Sequence, residues 1–296
     1  MTMHSRQDAL VGAMPVVFVL IWSTGFIVAR FGMPYAPPMK FLVLRYALSV
    51  GCFAVWAFAT GARFPANRSQ FKHLAVIGML MHGGYLGGVW AAVKLGMGAG
   101  LAALLVGLQP VLTAVWISSR GGAVSRRQWS GLLLGFGGLA LVVWQKLGIG
   151  EINAANFALA LGALLSITAG TLYQKRFLAP CDVRTANLVQ LCAAFVVTVP
   201  LALLESEGMQ WNGQLIAALA WSVLALTLGG SSLLYLLIQR GAATAVTSLL
   251  YLVPPCTALM AWLLFAEPIA MSTVLGMGLA ALGVSLVVRP AGRAGP

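Results

Sequence analysis

The sequence has few charged residues. Asp, Glu, Lys and Arg make up only 8% of its 296 residues, whereas soluble domains carry about 25%. Hydrophobic residues make up 60%, so a water-soluble protein is excluded. One crossing of the bilayer core needs about 20 apolar residues, and ten apolar runs account for nearly the whole chain. No residues remain for a soluble domain.

The sequence also lacks the motifs of enzymes and ATP-driven pumps. It contains no Walker-type phosphate loop, no H-E-x-x-H metal motif and no G-x-S-x-G nucleophile elbow. No pair of carboxylates falls within an apolar run, and the three histidines, His4, His73 and His82, lack metal-ligand spacing. We therefore expect no enzymatic activity, no cofactor and no metal site.

The apolar runs predict an all-α integral membrane protein with ten transmembrane helices. An uncovered strand edge cannot satisfy its backbone in hydrocarbon, and the runs are too long and too uniformly apolar for barrel strands. The predicted spans are residues 13–32, 39–60, 72–94, 98–119, 126–146, 153–176, 183–204, 213–239, 242–265 and 268–289.

The basic residues predict the orientation of these helices. With the N-terminus inside, the inner segments hold 13 Lys and Arg residues and the outer connections hold 4. This bias places both termini in the cytoplasm. The net charge of +12 is thus an orientation signal, and no nucleic-acid partner is expected. The expected partners are the lipid bilayer and a small-molecule substrate, with no obligatory protein partner evident.

The two halves of the sequence resemble each other at a shift of about 145 residues. The strongest match places Gly131, Leu134, Gly138, Leu141, Val142 and Val143 over Gly276, Leu279, Gly283, Leu286, Val287 and Val288. Residues 1–148 and 149–296 would then each hold five helices. Because five is odd, the second half is inverted relative to the first. Two inverted five-helix repeats with a site between them are the architecture of secondary carriers.

Several short motifs resemble the EamA family of the drug/metabolite transporter superfamily. They are Trp-Ser-Thr-Gly at 22–25, Leu-Arg-Tyr at 44–46, Leu-Gln-Pro at 108–110, Leu-Val-Pro at 252–254 and Glu-Pro at 267–268. The resemblance covers essentially the whole chain, and its Trp and Tyr residues are most similar to the aromatic amino acid/paraquat exporter subfamily. It implies a ten-helix exporter of the bacterial inner membrane. Two positions depart from the internal repeat, since Ile167 matches Trp22 and Gln190 matches Arg45.

Prolines mark candidate helix breaks in both halves. Pro110 lies midway along the fourth predicted span, and Pro254 and Pro255 lie midway along the ninth. Each proline lacks an N–H and clashes with the preceding turn, which frees backbone carbonyls. Breaks at corresponding positions of two repeats indicate a carrier's substrate site. The alternative is a packing kink.

Few polar side chains fall within the predicted spans. Gln109 is expected either to face a cavity or to bond another helix, and His82 either to pack or to act as a ligand or proton site. Arg45 either extends to the outer headgroups or contacts a substrate carboxylate or another helix. Gln190, which matches Arg45 in the repeat, is a further candidate polar contact.

The family resemblance implies that spans 1, 3, 4, 6, 8 and 9 surround a central cavity. The aromatic and hydroxyl side chains expected to line it are Trp22, Tyr85, Trp90, Trp116, Ser166, Tyr173, Tyr235 and Tyr251.

These features predict a secondary transporter that exports small amphipathic metabolites by alternating access. Aromatic and other neutral amino acids suit a cavity with Trp, Tyr, amide and hydroxyl groups. Multidrug or quaternary-cation efflux is the alternative, because aromatic faces hold cations, but the spans offer no acidic residue. A channel or a scaffold is a further alternative. The sequence leaves proton coupling, exchange and facilitated diffusion all open.

Overall fold

The computed structural model describes residues 3–120, 125–148, 150–230, 233 and 252–288, and all regular secondary structure in these ranges is helical. These ranges hold twelve α-helices and two π-helical segments, and no strand. In chain order they are α1 (Met3–Gly32), α2 (Pro38–Ala59), α3 (Arg68–Gly78), π1 (Met79–Gly84), α4 (Tyr85–Lys94), α5 (Ala99–Val106), α6 (Gln109–Ser119), α7 (Arg126–Gly148), α8 (Ala154–Phe177), α9 (Val183–Leu204), α10 (Gly213–Trp221), π2 (Ser222–Gly230), α11 (Val253–Phe265) and α12 (Met271–Val288).

Six stretches of helix in the described residues are long and apolar enough to cross a membrane. They are Pro38–Ala59, Arg68–Lys94, Arg126–Leu147, Ala154–Phe177, Val183–Leu204 and Gly213–Gly230. Four shorter apolar helices overlap the remaining predicted spans, at Val16–Gly32, Ala99–Thr113, Val253–Phe265 and Met271–Leu286. The all-helical membrane class is confirmed, and the number of ten crossings stays a prediction.

The fourth predicted span is interrupted at Gly107 and Leu108, between α5 and α6. Pro110 is the second residue of α6, and Pro254 and Pro255 lie in the first turn of α11. A proline there costs no internal hydrogen bond, because first-turn N–H groups have no partner within the helix. Gly107 faces α11, since a Cβ on it would lie 3.0 Å from Pro254 Cγ. The two proline-marked helix starts therefore lie close together.

Glycines let α7 and α12 pack backbone against backbone. A Cβ on Gly138 would overlap the carbonyl of Gly276, and a Cβ on Gly283 would overlap the carbonyl of Gly131. The residue numbers rise along α7 as they fall along α12, so the two helices run antiparallel. Only glycine allows this approach, as in other small-residue interfaces of membrane helices.

A second glycine interface joins α4 and π1 to α8. A Cβ on Gly84 would overlap the hydroxyl of Ser166, and one on Gly88 would lie 2.7 Å from the carbonyl oxygen of Leu159. The spacing of four residues between Gly84 and Gly88 puts both on one helix face. This face brings π1 and α4 against α8.

Acidic side chains cap helix starts at one end of the bundle. Glu205, at the end of α9, accepts hydrogen bonds from the N–H groups of Met39 and Lys40 in the first turn of α2, both at 2.9 Å. Glu151 accepts from Gly98 N at 3.0 Å. These N–H groups have no partner within their helices, and the positive end of the helix dipole favours the carboxylate.

Ion pairs join the same connections. Lys94 pairs with Glu207 at 2.8 Å, Lys146 pairs with Glu151 at 2.5 Å, and Arg30 lies 3.5 Å from Glu267. The hydrogen bond and charge of Lys94 lower the pKa of Glu207. The residues in these pairs all belong to the connections that the charge count predicts to be outside. The contacts therefore tie the connections of this end to one another.

Two neighbouring glycines of α7 give a matched test of the α7–α12 interface. Gly138 is buried against Gly276, whereas Gly137 is exposed and has no atom within 4 Å of an added Cβ. We expect Gly138→Ala to lower the free energy of unfolding by about 1–3 kcal/mol through overpacking. Gly137→Ala should change it by at most about 1 kcal/mol, in the stabilising direction. Thermal unfolding of the two purified variants in detergent measures the difference, and equal midpoints would contradict this interface.

Candidate functional site

A cavity lies between α1, α2, α4, α8 and the two π-helical segments. The volume of the cavity, taken as the space that the centre of a water molecule can occupy, is about 100 Å³. Most of its lining is apolar or aromatic, with few polar groups, as is usual for small-molecule sites. The lining residues are Trp22, Gly25, Phe26, Arg45, Met81, His82, Tyr85, Leu86, Val89, Trp90, Ile167, Leu226 and Thr227.

Arg45 brings a positive charge to this cavity. Its residue is 7% exposed, and its Nε and Nη2 atoms lie 3.3 and 3.2 Å from Thr227 Oγ1. Its guanidinium carbon lies 5.9 Å from the centroid of the Trp90 ring, within the range of a cation–π contact. The side chain thus turns into the protein, which differs from the expectation that it extends to the outer headgroups. A hydroxyl and an aromatic face replace part of its hydration there.

Thr227 is a cavity residue that the sequence analysis did not identify. It lies on π2, is 4% exposed, and its hydroxyl donates to the Ser222 carbonyl at 2.8 Å. This bond orients the Oγ1 lone pairs toward Arg45. A signal for it existed, because the 145-residue shift that relates the two halves places Thr227 over His82.

His82 occupies the corresponding position on π1 and also lines the cavity. Its ring lies in contact with the side chain of Gln190, and its carbonyl accepts a hydrogen bond from the Tyr46 hydroxyl at 2.7 Å. Gln190 matches Arg45 in the repeat. The contact between Arg45 and Thr227 therefore has a counterpart in the contact between Gln190 and His82.

The π-helical segments widen the helix where it meets the cavity. In π1 the Tyr85 N–H bonds to the Leu80 carbonyl, five residues earlier, and the Ser166 hydroxyl donates to the same carbonyl at 2.8 Å. Such π turns interrupt the usual hydrogen-bond ladder and are frequent at functional sites. Ser166 thus supports π1 from outside the cavity lining.

Two other predicted cavity residues lie elsewhere in the structure. Gln109 donates to Thr171 Oγ1 at 2.7 Å, which is the interhelical bond that the sequence left open as its alternative. Trp116 is 48% exposed, and its ring centroid lies 4.7 Å from the guanidinium carbon of Arg120. Both residues lie on α6, after the break that separates α5 from α6, and neither lines the cavity.

Tyr173 lies near the end of α8. Its hydroxyl is 2.8 Å from His73 Nδ1, and its ring packs on Phe177 with centroids 4.7 Å apart. It joins α8 to α3 rather than lining the cavity. Tyr235 and Tyr251 lie outside the described residues. Of the predicted aromatic lining, the structure brings Trp22, Tyr85 and Trp90 together.

The described residues contain no group of three or more His, Cys, Asp or Glu side chains that could hold a metal ion. Among the described residues that line the cavity, the polar side chains are Arg45, His82, Thr227 and the polar edges of Trp22, Tyr85 and Trp90. This set suits reversible binding of a small solute through hydrogen bonds, one positive charge and aromatic faces.

Comparison with protein families gives a match along nearly the whole chain. The model of the EamA-like transporter family matches residues 11–144 and again residues 156–289. The second match begins and ends 145 residues after the first, the shift at which the two halves resemble each other.

Curated relatives are named as transporters. The uncharacterized inner membrane transporter YedA of Escherichia coli K12 is 25% identical over 281 residues, covering 94% of this chain and 90% of that protein. A probable amino-acid metabolite efflux pump of Salmonella typhimurium is 27% identical over 178 residues, covering 59% of this chain and 55% of that protein. A solved crystal structure has a similar fold, with a TM-score of 0.62 at 16% identity, covering 94% of this chain and 96% of that one.

The side-chain bonds to π1 give a test of what holds this segment. We expect Tyr46→Phe and Ser166→Ala each to lower the free energy of unfolding by about 1 kcal/mol and to speed amide hydrogen exchange in residues 79–84. Ser130→Ala is the control, because that hydroxyl bonds only the carbonyl of its own α7 at an exposed position. Exchange mass spectrometry of the peptide containing π1 measures the effect. Exchange as slow as in the parent would show that these bonds do not hold π1.

Proposed function

The chain belongs to the EamA-like transporter family, and on this premise we propose that it is a secondary carrier that exports small amphipathic metabolites by alternating access. It is a membrane transporter rather than an enzyme. The observation that carries the proposal is the cavity between α1, α2, α4 and α8, which combines aromatic walls with one buried arginine.

We propose that the chain is built as two inverted five-helix repeats, residues 1–148 and 149–296. The α7–α12 interface supports this arrangement. At the 145-residue shift, Gly131 corresponds to Gly276 and Gly138 to Gly283. Replacing each glycine by its equivalent turns the Gly138–Gly276 contact into the Gly283–Gly131 contact, and both contacts are present in the structure. A two-fold relation between equivalent elements produces such self-matching contacts. The antiparallel course of the two equivalent helices fits an inversion.

Contacts around the cavity follow the same relation. The Arg45–Thr227 contact corresponds to the Gln190–His82 contact. A second pair of contacts, Gly25 with Leu226 and Gly170 with Met81, is related in the same way. The cavity then lies at the interface of the two repeats, where inverted-repeat carriers bind their substrates.

The proposed substrates are aromatic and other neutral amino acids. Trp22, Tyr85 and Trp90 offer flat apolar faces with polar edges, which suit an aromatic or large apolar side chain. The name of the Salmonella typhimurium relative, an amino-acid metabolite efflux pump, supports an amino-acid-related cargo. The buried Arg45 disfavours the alternative, a quaternary cation, because like charges repel.

We propose a location in the bacterial inner membrane with both termini in the cytoplasm. The name of the Escherichia coli relative, an inner membrane transporter, supports the location. The count of 13 basic residues on the predicted inner segments against 4 on the outer connections supports the orientation.

Uptake by the purified protein in liposomes tests the proposed function. We expect labelled Phe, Trp, Met or Thr to enter faster than into empty liposomes, with saturation and with acceleration by the same amino acid on the opposite side. A quaternary ammonium competitor should have little effect. If no amino acid moves faster than in empty liposomes, the proposed substrate class is wrong. Flux that stays linear with concentration would indicate a channel.

Two tryptophans provide a matched pair for this assay. Trp22 lines the cavity, whereas Trp116 lies on α6 outside the lining. We expect Trp22→Leu to lower kcat/KM for Phe about tenfold or more, because it removes an aromatic wall. Trp116→Leu should leave kcat/KM within about twofold of the parent. Equal effects of the two substitutions would contradict this cavity as the substrate site.

A further inference from the structure

The positive charge of Arg45 has no carboxylate partner among the residues that the structure describes. The chain has six acidic residues, and the ranges outside the described residues contain none of them. Asp8 lies on α1, 14 residues before Trp22, or about 21 Å along the helix at 1.5 Å per residue. The other five are Glu151, Asp182, Glu205, Glu207 and Glu267, all in connections between helices.

These five acids are engaged elsewhere. Each forms an ion pair or accepts backbone N–H bonds at an end of the bundle: Glu151 with Lys146, Asp182 with Arg184, Glu207 with Lys94, Glu267 with Arg30, and Glu205 with the start of α2. None of these five carboxylates therefore reaches the buried guanidinium. A buried charge without a counter-charge is costly to a fold, so its retention calls for a ligand that supplies the charge.

The hydrogen bonds of Arg45 leave one edge of its guanidinium free. A guanidinium carries five N–H donors. The Thr227 hydroxyl accepts from Nε and Nη2, and no hydrogen-bond acceptor in the described residues contacts Nη1. Since Arg45 lines the cavity, the free donors are available to a molecule inside it. Arginine binds carboxylates through two parallel N–H···O bonds, and Thr227 fixes the orientation that such a fork needs.

We propose that Arg45 and Thr227 form a carboxylate-binding subsite, and that a single negative charge, rather than an amine, is what the cavity requires of its substrate. The proposal rests on the proposed transport function and deepens it. A carboxylate matches the one cation that the described residues place in the cavity, whereas a phosphate monoester carries close to two charges at pH 7. The aromatic and aliphatic lining receives the remainder of the molecule. Monocarboxylates with an apolar body, with or without an amino group, are therefore ligands.

Four small molecules that share a phenyl group distinguish a requirement for a carboxylate from a requirement for an amine. They are L-phenylalanine, 3-phenylpropionate, 2-phenylethylamine and phenylalaninamide. Binding to the purified protein is measured by quenching of tryptophan fluorescence, since Trp22 and Trp90 line the cavity. We expect the two carboxylates to bind and the two molecules without a carboxylate to bind at least about tenfold more weakly. Equal binding of 3-phenylpropionate and 2-phenylethylamine would overturn the proposal, as would tighter binding of phenyl phosphate.

Variants of the two subsite residues test the assignment itself. Arg45→Gln should weaken the binding of both carboxylates about tenfold or more, and Thr227→Val should weaken it several-fold because the fork loses its orienting acceptor. Arg30→Gln is the control, since Arg30 lies at an end of the bundle in an ion pair with Glu267. Unchanged carboxylate affinity in Arg45→Gln overturns the proposal. If Arg45→Gln does not fold, unchanged affinity in Thr227→Val overturns it.

The stability of the empty protein distinguishes a binding role from a purely structural one. If Arg45 serves only to join α2 to π2, Arg45→Gln lowers the thermal midpoint. If it is held for a ligand, removal of the uncompensated charge leaves the midpoint of the ligand-free protein equal to or above that of the parent. A lowered midpoint with unchanged binding would overturn the proposal.

The experiments can contradict the proposed subsite and the proposed transport function independently of each other. Carboxylate binding that depends on Arg45, without uptake into liposomes, would contradict the carrier and support the subsite. Phe uptake by Arg45→Gln at the parental kcat and KM would support the carrier and overturn the subsite.

Discussion

The burial of one guanidinium among apolar side chains is the constraint on which the centre of this protein depends. A charge in such surroundings requires hydrogen bonds, a polarisable face or a counter-charge. Thr227 supplies the first and Trp90 the second, and they come from π2 and α4, far apart in sequence. The π turns and the close glycine contacts bring these segments within reach of α2. No carboxylate among the described residues supplies the counter-charge, and we assign that role to the substrate.

The same packing indicates how the cavity is related to the rest of the helices. The contact of Gly138 with Gly276 is equivalent by the repeat to that of Gly283 with Gly131. The contact of Arg45 with Thr227 is equivalent in the same way to that of Gln190 with His82. Under the proposed inverted repeat, the two halves can exchange conformations, so that either end opens without any new fold. The predicted outer end is tied by carboxylates that cap α2 and by ion pairs between connections. The Lys94–Glu207 pair is partly exposed and contributes little to stability, whereas Lys146 and Glu151 are largely buried.

The sequence was sufficient for the all-helical membrane class, because long apolar runs leave a direct signal. The glycines that relate the two halves of the sequence were identified, but their close contact between α7 and α12 was not predicted. The prolines were expected to break two spans midway, and the structure places them in the first turns of α6 and α11. The π turns were not predicted, since no residue type specifies them. Thr227 was missed because a threonine in an apolar run usually bonds its own helix. It does so here, and it also accepts from Arg45. The inward course of Arg45 depends on that distant partner, so local spacing could not determine it.

The most direct test of the central claim is a distance in the bound state. Solid-state NMR on the protein in bilayers, with ¹⁵N-labelled arginine and phenylalanine labelled with ¹³C in its carboxylate, reports the separation of the two groups. We expect dipolar coupling corresponding to about 4 Å or less between the carboxylate and a guanidinium, lost in Arg45→Lys and retained in Arg30→Gln. Specific binding of phenylalanine without that coupling, or with coupling that persists in Arg45→Lys, would contradict it.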